Sequence, residues 1–160
     1  MPAAAYTVPS WTTTPPATGQ DPQVTTNYFD ALGRIWKTSL PDNTSVTNEF
    51  YPNGLLKRTY GSRTYPVGYG YDPQGRMKTM TNWTTFAAAG ERVTTWNYDL
   101  YRGWLTNKTY ADGQGPIYSN TPAGRLARRT WVRGITTDYA YNEAGDLETV
   151  NYSDTTPDVS

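Results

Sequence analysis

The sequence predicts an all-β fold of tandem antiparallel β-hairpins, with a 21-residue period, that form an elongated, curved sheet strip. Three observations predict it: glycines recur at a fixed spacing, turn-forming residues precede them, and strand-forming residues fill the intervals. The spacings are 21, 21, 28, 21 and 21 residues, and the glycines are Gly33, Gly54, Gly75, Gly103, Gly124 and Gly145. This period predicts six hairpins in one register.

The residues around these glycines keep the same register. An apolar residue stands two positions after every glycine, from Ile35 in the first unit to Leu147 in the last. In most units an aromatic residue stands four positions before it: Phe29, Phe50, Tyr71 and Tyr141. Between the turns, Thr, Val, Tyr and Trp are dense enough to favour strands, and no segment shows a helical period.

Turn-forming residues open most of the segments that end in these glycines: Asp30, Asp72, Asp99 and Asn142. A side-chain oxygen at the first turn position accepts a hydrogen bond from the backbone two residues on. A type I turn followed by a left-handed glycine makes a G1 bulge, which matches the twist of a hairpin. Each of the six glycines is therefore predicted to mark a hairpin tip.

The fourth unit departs from the period. Its aromatic residue, Tyr98, is displaced by one position, which predicts a longer turn over residues 99–103. The seven extra residues fall within 82–92 and predict a lengthened loop between the third and fourth hairpins. Long loops often carry function, so a ligand-binding loop is an alternative to a plain connection.

The period also predicts the domain organisation. Residues 1–20 are rich in Pro, Thr and Ala and are predicted to form a linker or a disordered N-terminus. The six hairpin repeats are predicted over residues 21–156, and residues 157–160 are predicted to be a C-terminal tail.

The composition argues against several classes of function. Lys plus Arg number 14 and Asp plus Glu number 14, so no overall field attracts nucleic acid. The absence of Cys and His excludes disulfides, thiolate or imidazole metal sites, and Cys/His or Ser/His catalysis. The carboxylates recur at turn tips, where hydrogen bonding explains them. We therefore expect no enzyme, no catalytic residue, no cofactor and no metal.

The start of the sequence shows no signal peptide, and no apolar run reaches the length of a membrane span. We therefore expect no membrane span.

The repeated motif, aromatic-Asp-x-x-Gly-Arg-apolar, resembles the YD repeat, also called the RHS repeat. Residues 71–77 match it best, and residues 29–35 are next. The resemblance covers residues 24–152. Several units depart from it. The second has Tyr51 in place of Asp, and the fifth has Asn120 and Thr121 in place of the Tyr-Asp pair. The Arg after the glycine is replaced in the second, fourth and sixth units, by Leu55, Trp104 and Asp146.

The resemblance implies that the chain is a partial RHS/YD shell. In bacterial polymorphic toxins and insecticidal toxin complexes, such hairpins wind into a hollow shell around a C-terminal toxic domain. In the animal teneurins, similar repeats form an extracellular barrel used in adhesion. The implied function is a scaffold that encapsulates or presents a C-terminal toxin or effector domain. The implied partners are the remainder of a larger RHS/YD chain or the enclosed domain, at a secreted or bacterial cell-surface location.

Family members cleave themselves at a core region with two Asp-Pro-x-Gly motifs. Here the motif occurs once, at residues 72–75, inside a regular repeat. It is predicted to be a hairpin turn, and self-cleavage is not predicted.

Carbohydrate binding and cell-surface adhesion are the alternative functions. Tryptophan rings stack on sugars, and the candidates are Trp36, Trp83, Trp96, Trp104 and Trp131. In β-repeats, however, tryptophans more often pack across strands. Adhesion would use strand addition at a sheet edge. Unpaired edges and an uncovered face also predict self-association of the isolated chain.

Overall fold

A computed structural model describes residues 6–11, 23–85 and 89–159, with the backbone alone for residues 6–11. The described residues form thirteen β-strands and no helix, which confirms the all-β prediction. The strands are β1 (Tyr6–Trp11), β2 (Val24–Phe29), β3 (Ile35–Ser39), β4 (Ser45–Phe50), β5 (Leu56–Gly61), β6 (Val67–Tyr71), β7 (Met77–Thr85), β8 (Ala89–Tyr98), β9 (Leu105–Thr109), β10 (Ile117–Asn120), β11 (Leu126–Thr130), β12 (Thr136–Tyr141) and β13 (Leu147–Tyr152).

Consecutive strands pair antiparallel within each of two compact units. The first unit comprises Met1–Arg76 and Met80–Glu91, and the second comprises Met77–Thr79 and Arg92–Ser160. In the first unit the pairing runs in chain order from β1 to β6. In the second it runs in chain order from β8 to β13. The predicted antiparallel hairpins are thus confirmed.

The aromatic and apolar residues of the repeat face each other across the hairpin. Phe29 pairs with Ile35, Phe50 with Leu56, Tyr98 with Leu105, Asn120 with Leu126 and Tyr141 with Leu147. One step further from each of these turns, the second strand carries one extra residue, such as Trp36 in the first hairpin. This recurring bulge bends and twists the strand locally. The 21-residue period gives no sign of it.

The described strands have no hydrophobic core. No hydrophobic side chain is buried in the described part of the chain, where the buried residues are Thr137 and Pro116. A domain normally packs two layers of secondary structure around one core. The hairpins of each unit therefore lack a second layer over their faces.

Part of the predicted N-terminal linker is a strand, which corrects the prediction for residues 6–11. β1 pairs with β2 in register, from Tyr6 opposite Phe29 to Trp11 opposite Val24. Pro9 cannot donate to a strand ladder, but an edge strand tolerates proline. Among the described strands β1 pairs with β2 alone, so it is such an edge. The rest of the predicted linker lies outside the described residues, as does the predicted start of the repeats at residue 21.

The seven extra residues between the third and fourth hairpins lengthen strands more than they lengthen a loop. β7 and β8 have 9 and 10 residues, whereas β6 has 5. The Thr84 Oγ1 donates to the Gly90 carbonyl at 3.3 Å near the ends of these two strands. The predicted loop over 82–92 is therefore wrong for residues 82–85 and 89–92, and residues 86–88 lie outside the described part.

The predicted C-terminal tail contains a further pairing. Val159 exchanges two backbone hydrogen bonds with Val150 of β13, at 2.8 and 3.0 Å. The tail prediction is corrected at this residue, because the open edge of β13 offers backbone groups to pair with.

Candidate functional site

The structure places the six repeat glycines at hairpin tips, all with positive φ. In five turns the glycine amide donates to the carbonyl three residues earlier, at 2.9 to 3.0 Å. In the fourth turn Gly103 donates instead to Asp99, four residues earlier, at 3.1 Å. This turn is one residue longer, in the way that the displaced Tyr98 predicts.

Asp30 and Asp72 close their turns from the first turn position. One carboxylate oxygen of Asp72 accepts the amides of Gln74 at 3.0 Å and Arg76 at 2.9 Å. Its other oxygen accepts the Nε of Arg76 at 2.6 Å. Asp30 makes the same set of bonds within its own turn. The Asp and the Arg of the repeat motif therefore act as one clamp across the glycine.

The clamp lowers the pKa of both carboxyl groups. At Asp30 the main cause is the hydrogen bond from the Arg34 amide, to which the Arg34 guanidinium adds. At Asp72 partial desolvation raises the pKa, but the amide and guanidinium of Arg76 together outweigh it. Both carboxylates are ionised and held by the turn, so neither is poised for proton transfer near neutral pH.

Other oxygen-bearing side chains take over part of this task at the remaining turns. Asp99 accepts two amides within its longer turn. Thr121 Oγ1 accepts the Arg125 amide at 3.2 Å, and Asn142 Oδ1 accepts the Asp146 amide at 2.9 Å. An uncharged oxygen acceptor at the first position thus replaces the carboxylate in two of these turns. The turn that ends at Gly54 has no such acceptor, because Tyr51 opens it, and the Asn53 Oδ1 accepts the Leu55 amide there at 3.2 Å.

The arginines that follow Gly33 and Gly124 reach toward the next hairpin. The Arg34 guanidinium lies 4.5 Å from the centre of the Phe50 ring, and the Arg125 guanidinium lies 5.6 Å from that of Tyr141. A cation over an aromatic ring stabilises by about 0.5–1 kcal/mol at an exposed site. We call these contacts the repeat seam. They join the residue after one glycine to the turn, or to the aromatic residue, of the next hairpin.

Trp104 takes the place of the arginine in the fourth unit and makes a different seam contact. Its ring lies against the next turn glycine, where a Cβ on Gly124 would come within 3.0 Å of the indole. A Cβ on Gly145 would overlap the Arg125 guanidinium in the same way. The turn at Gly124 therefore favours glycine twice, once for positive φ and once for the close approach of the Trp104 ring, whereas at Gly145 the flexible Arg125 side chain can move aside.

The repeat tyrosines also belong to the repeat seam, because their hydroxyl groups join consecutive hairpins. Each hydroxyl donates to the carbonyl of the apolar residue in the preceding hairpin: Tyr71 to Leu56 at 3.0 Å, Tyr98 to Met77 at 2.7 Å, and Tyr141 to Leu126 at 2.9 Å. Phe50 has no hydroxyl. In that hairpin the side-chain amide of Asn48 donates from Nδ2 to the Ile35 carbonyl at 3.2 Å. The recurrence of Tyr was visible in the sequence, but its acceptor lies in another repeat.

At the opposite ends of the hairpins the same turn recurs in three places, over residues 40–44, 110–114 and 131–135. Asn43, Gly113 and Gly134 have positive φ there. The turn at 131–135 was not predicted from the sequence, because it opens with Trp131 and contains neither Asp nor Pro. A Cβ on Gly113 or Gly134 would meet nothing within 4 Å. This edge therefore shares the local turn but lacks the seam contacts.

The first two candidate tryptophans pack within the hairpins. Trp36 lies against Tyr28, with the ring centres 6.0 Å apart. Trp83 donates from Nε1 to Glu91 at 3.2 Å, and its ring lies against Gly68. These contacts are those of residues that pack across strands.

The other three candidate tryptophans carry a cation on the ring. Lys108 lies 5.1 Å from the ring centre of Trp96, Arg102 lies 4.7 Å from that of Trp104, and Arg129 lies 3.4 Å from that of Trp131. Each cation covers ring surface that a sugar would use for stacking. The structure thus distributes the five tryptophans along the hairpins.

One open cleft contains one of these tryptophans. Trp131 and Tyr110, from neighbouring turns of the opposite edge, line a cleft of about 740 Å³. The remaining lining residues are Gln114, Pro116, Val132 and Arg133. The cleft is large enough for a small ligand, although Arg129 lies over the Trp131 ring at 3.4 Å and Lys108 over the Tyr110 ring at 4.8 Å.

Metal binding and membrane spanning are two further classes of function on which the described residues bear. Within residues 6–11, 23–85 and 89–159, no group of three or more acidic side chains is placed to hold a metal ion. That same part of the chain includes no helix long and apolar enough to cross a membrane.

Known proteins resemble this chain in structure, whereas no protein-family model and no curated protein matches its sequence. A chain in the crystal structure of TcdB2-TccC3-Cdc42 matches 82% of this chain, with a TM-score of 0.67 and 13% identity. A chain in the pore structure of the Photorhabdus luminescens Tc holotoxin also matches 82%, with a TM-score of 0.51 and 13% identity. This chain spans 7% and 9% of the lengths of those two chains. At such identity the likeness shows the fold alone: a segment of antiparallel hairpins like one found within Tc toxin chains.

Proposed function

We propose that this chain is a structural repeat scaffold of the YD/RHS type. In this role it forms part of a shell wall that encloses or presents a C-terminal toxin or effector domain. The observation that carries the proposal is the repeat seam, which joins consecutive hairpins while no hydrophobic side chain is buried in the described part of the chain. Such an arrangement suits a wall better than a globule.

The energetics of repeats support this role. Where each repeat contacts only its neighbours, stability is close to a sum of repeat and neighbour terms, so the sheet can extend without a central core. Its uncovered faces then need a second surface to bury them. The proposed surfaces are the remainder of a larger RHS/YD chain and the enclosed domain. The likeness to segments of Tc toxin chains supports the same proposal. The location that we propose with this role is secreted or at the cell surface.

The proposed role includes no catalysis. Asp30 and Asp72 are the carboxylates of the repeat motif, and each already holds a turn and an arginine. Their lowered pKa values oppose a role as proton donor or acceptor near neutral pH.

The self-association of the purified chain tests the proposal. We expect the chain alone to form oligomers by size-exclusion chromatography with light scattering, and to bind the hydrophobic dye ANS, because its faces are uncovered. Exchanging two exposed strand residues, with Trp36→Thr and Ile117→Thr, should lower both signals. The matched control exchanges exposed turn-tip residues, with Leu32→Ser and Leu100→Ser, and should change both signals less. A monodisperse monomer that binds no ANS would contradict the proposal.

Carbohydrate binding is the second candidate, and the cleft at Tyr110 and Trp131 is the observation that favours it. It predicts that oligosaccharides quench or shift the tryptophan fluorescence of the chain, and that Trp131→Phe abolishes the response. Trp96→Phe is the matched control, because Trp96 does not line the cleft. Fluorescence that no sugar changes would remove this candidate.

A further inference from the structure

The outer edge of β13 is partly covered by residues of the same chain. Val159 occupies the amide and carbonyl of Val150, and the Asp158 carboxylate accepts the Tyr152 amide at 2.8 Å. These three hydrogen bonds use backbone groups of β13 that point away from β12, the strand with which β13 pairs on its other side. The edge is therefore able to accept an antiparallel strand, and residues 158–159 cover only part of it.

The repeat seam has an unfilled position at this edge. Leu147 stands two residues after Gly145, as Leu56 and Leu126 do after their own glycines. The carbonyls of Leu56 and Leu126 each accept a tyrosine hydroxyl from the next hairpin. No side chain in the described part of the chain donates to the Leu147 carbonyl. The seam geometry therefore provides a place there for one further tyrosine hydroxyl.

The surface beside this edge is acidic. Residues 134–160 contain no Lys and no Arg, and their acidic residues are Asp138, Glu143, Asp146, Glu148, Asp154 and Asp158. Asp138 is paired with Arg128. In the described part of the chain, no base forms an ion pair with Glu143, Asp146 or Glu148. Asp146 stands in the seam position that Arg34 and Arg125 occupy over the next aromatic ring.

We propose that the β13 edge is a docking surface for a β-hairpin of the same repeat type, presented by another polypeptide segment. This hairpin carries a tyrosine four residues before its turn glycine and basic residues opposite Asp146 and Glu148. Residues 157–159 hold the edge in its absence and are displaced when it binds. The inference rests on the proposed scaffold role and adds the chemistry of the partner. β1 of a second copy does not fit, because residues 6–11 contain no basic residue.

A peptide from this chain serves as the probe. Residues 66–80 form a hairpin segment with Tyr71, Gly75, Arg76 and Lys78, so they have the required tyrosine and basic residues. Fluorescence anisotropy of the labelled peptide measures binding to the full chain and to a chain ending at Thr156. We expect about tenfold tighter binding to the shortened chain, because the competing residues are removed. Hydrogen exchange at the Val150 and Tyr152 amides should slow when the peptide binds.

Three variants assign the binding to this edge. In the shortened chain, Val150→Pro removes the outward amide, which an edge strand tolerates, and should weaken binding about tenfold. Tyr71→Phe in the peptide removes the hydroxyl and should weaken binding about fivefold. Asp146→Lys should weaken binding and remove most of its dependence on salt.

The proposal is overturned if the shortened chain does not bind the peptide, or if Val150→Pro binds it as tightly as the unsubstituted chain does. Hydrogen exchange of the β12–β13 pair shows whether Val150→Pro keeps the hairpin folded. A second edge variant, Val150→N-methyl-valine introduced by peptide ligation, repeats the test if it does not. Failure here is distinguishable from failure of the scaffold role, because the self-association and ANS binding of the chain do not depend on the peptide.

Discussion

Gly124 and Gly134 close turns of the same local geometry at opposite ends of β11. Their φ values are 86° and 83°. Each amide donates to the carbonyl three residues earlier at 2.9 Å. Their surroundings differ, because the Trp104 ring lies against Gly124 while nothing lies within 4 Å of a Cβ on Gly134.

The difference shows that these two turns are packed differently: a ring from the neighbouring repeat lies against Gly124, whereas the tip at Gly134 is open. The opposite edge has contacts of its own between neighbouring turns, such as the ion pair between Asp42 and Arg63. On the seam edge, Arg34, Trp104 and Arg125 each contact the turn or the aromatic ring of the next hairpin. On the opposite edge, the turns range from residues 40–44 to the longer connection over 110–116.

Replacing each of these two glycines by alanine should give the largest effect on stability and the clearest test of this comparison. Gly134→Ala places a Cβ in the left-handed region, which costs about 1–2 kcal/mol. Gly124→Ala adds the displacement of Trp104 to the same strain, so its unfolding midpoint should fall further. Thermal unfolding followed by circular dichroism, at matched protein concentration, measures both. Equal losses for the two variants would show that the seam contact is unimportant.

The tyrosine hydroxyls should give the next largest effect. Tyr141→Phe removes the hydrogen bond to the Leu126 carbonyl at 2.9 Å, which should cost about 0.5–1.5 kcal/mol. Tyr110→Phe, on the opposite edge, is the matched control and should be nearly neutral. Hydrogen exchange of the β11 and β12 amides should speed up in the first variant alone. If both variants behave like the unsubstituted chain, the hydroxyl does not join the hairpins.

The same contrast explains which parts of the structure could be predicted from the sequence. The turns at Gly33 and Gly75 depend on residues within five positions of each other, so Asp, Pro and Gly reveal them directly. The acceptor of the Tyr71 hydroxyl lies fifteen residues away, at Leu56, and no local pattern specifies it. The turn ending at Gly134 was missed because its other residues are not typical turn formers.

Effects that arise from strand pairing also could not be predicted from the sequence. The strand at residues 6–11 depends on β2 for its partner, and composition alone predicted a linker there. The extra residue at Trp36 is visible only when the two strands are set in register. Partial burial likewise depends on tertiary contacts, so the cations on Trp96 and Trp131 could not be predicted from spacing.

Charge should give smaller, pH-dependent effects on both edges. Asp72 on the seam edge and Asp42 on the opposite edge each have a pKa below the ordinary 3.8. At Asp42 the first cause is the hydrogen bond from the Thr44 hydroxyl. A lowered folded pKa stabilises the folded state above the unfolded pKa, and this stabilisation is lost as the pH falls through the folded value. The thermal unfolding midpoint should therefore fall as the pH is lowered below about 4. Asp72→Asn or Asp42→Asn should each make this fall smaller.

Asn142→Asp should reverse the direction of this pH dependence. Asn142 Nδ2 lies 3.4 Å from the Asp146 carboxylate, so an aspartate at this position would face a like charge instead of the arginine that Asp72 meets. Two neighbouring carboxylates raise each other's pKa in the folded state, and the variant should gain stability as the pH falls from 7 toward 4. Asn142→Ser, which keeps an oxygen acceptor without a charge, is the control and should show no such gain. A fall in stability of the aspartate variant over this range would mean that the Asp-Arg clamp does not depend on the residue after the glycine.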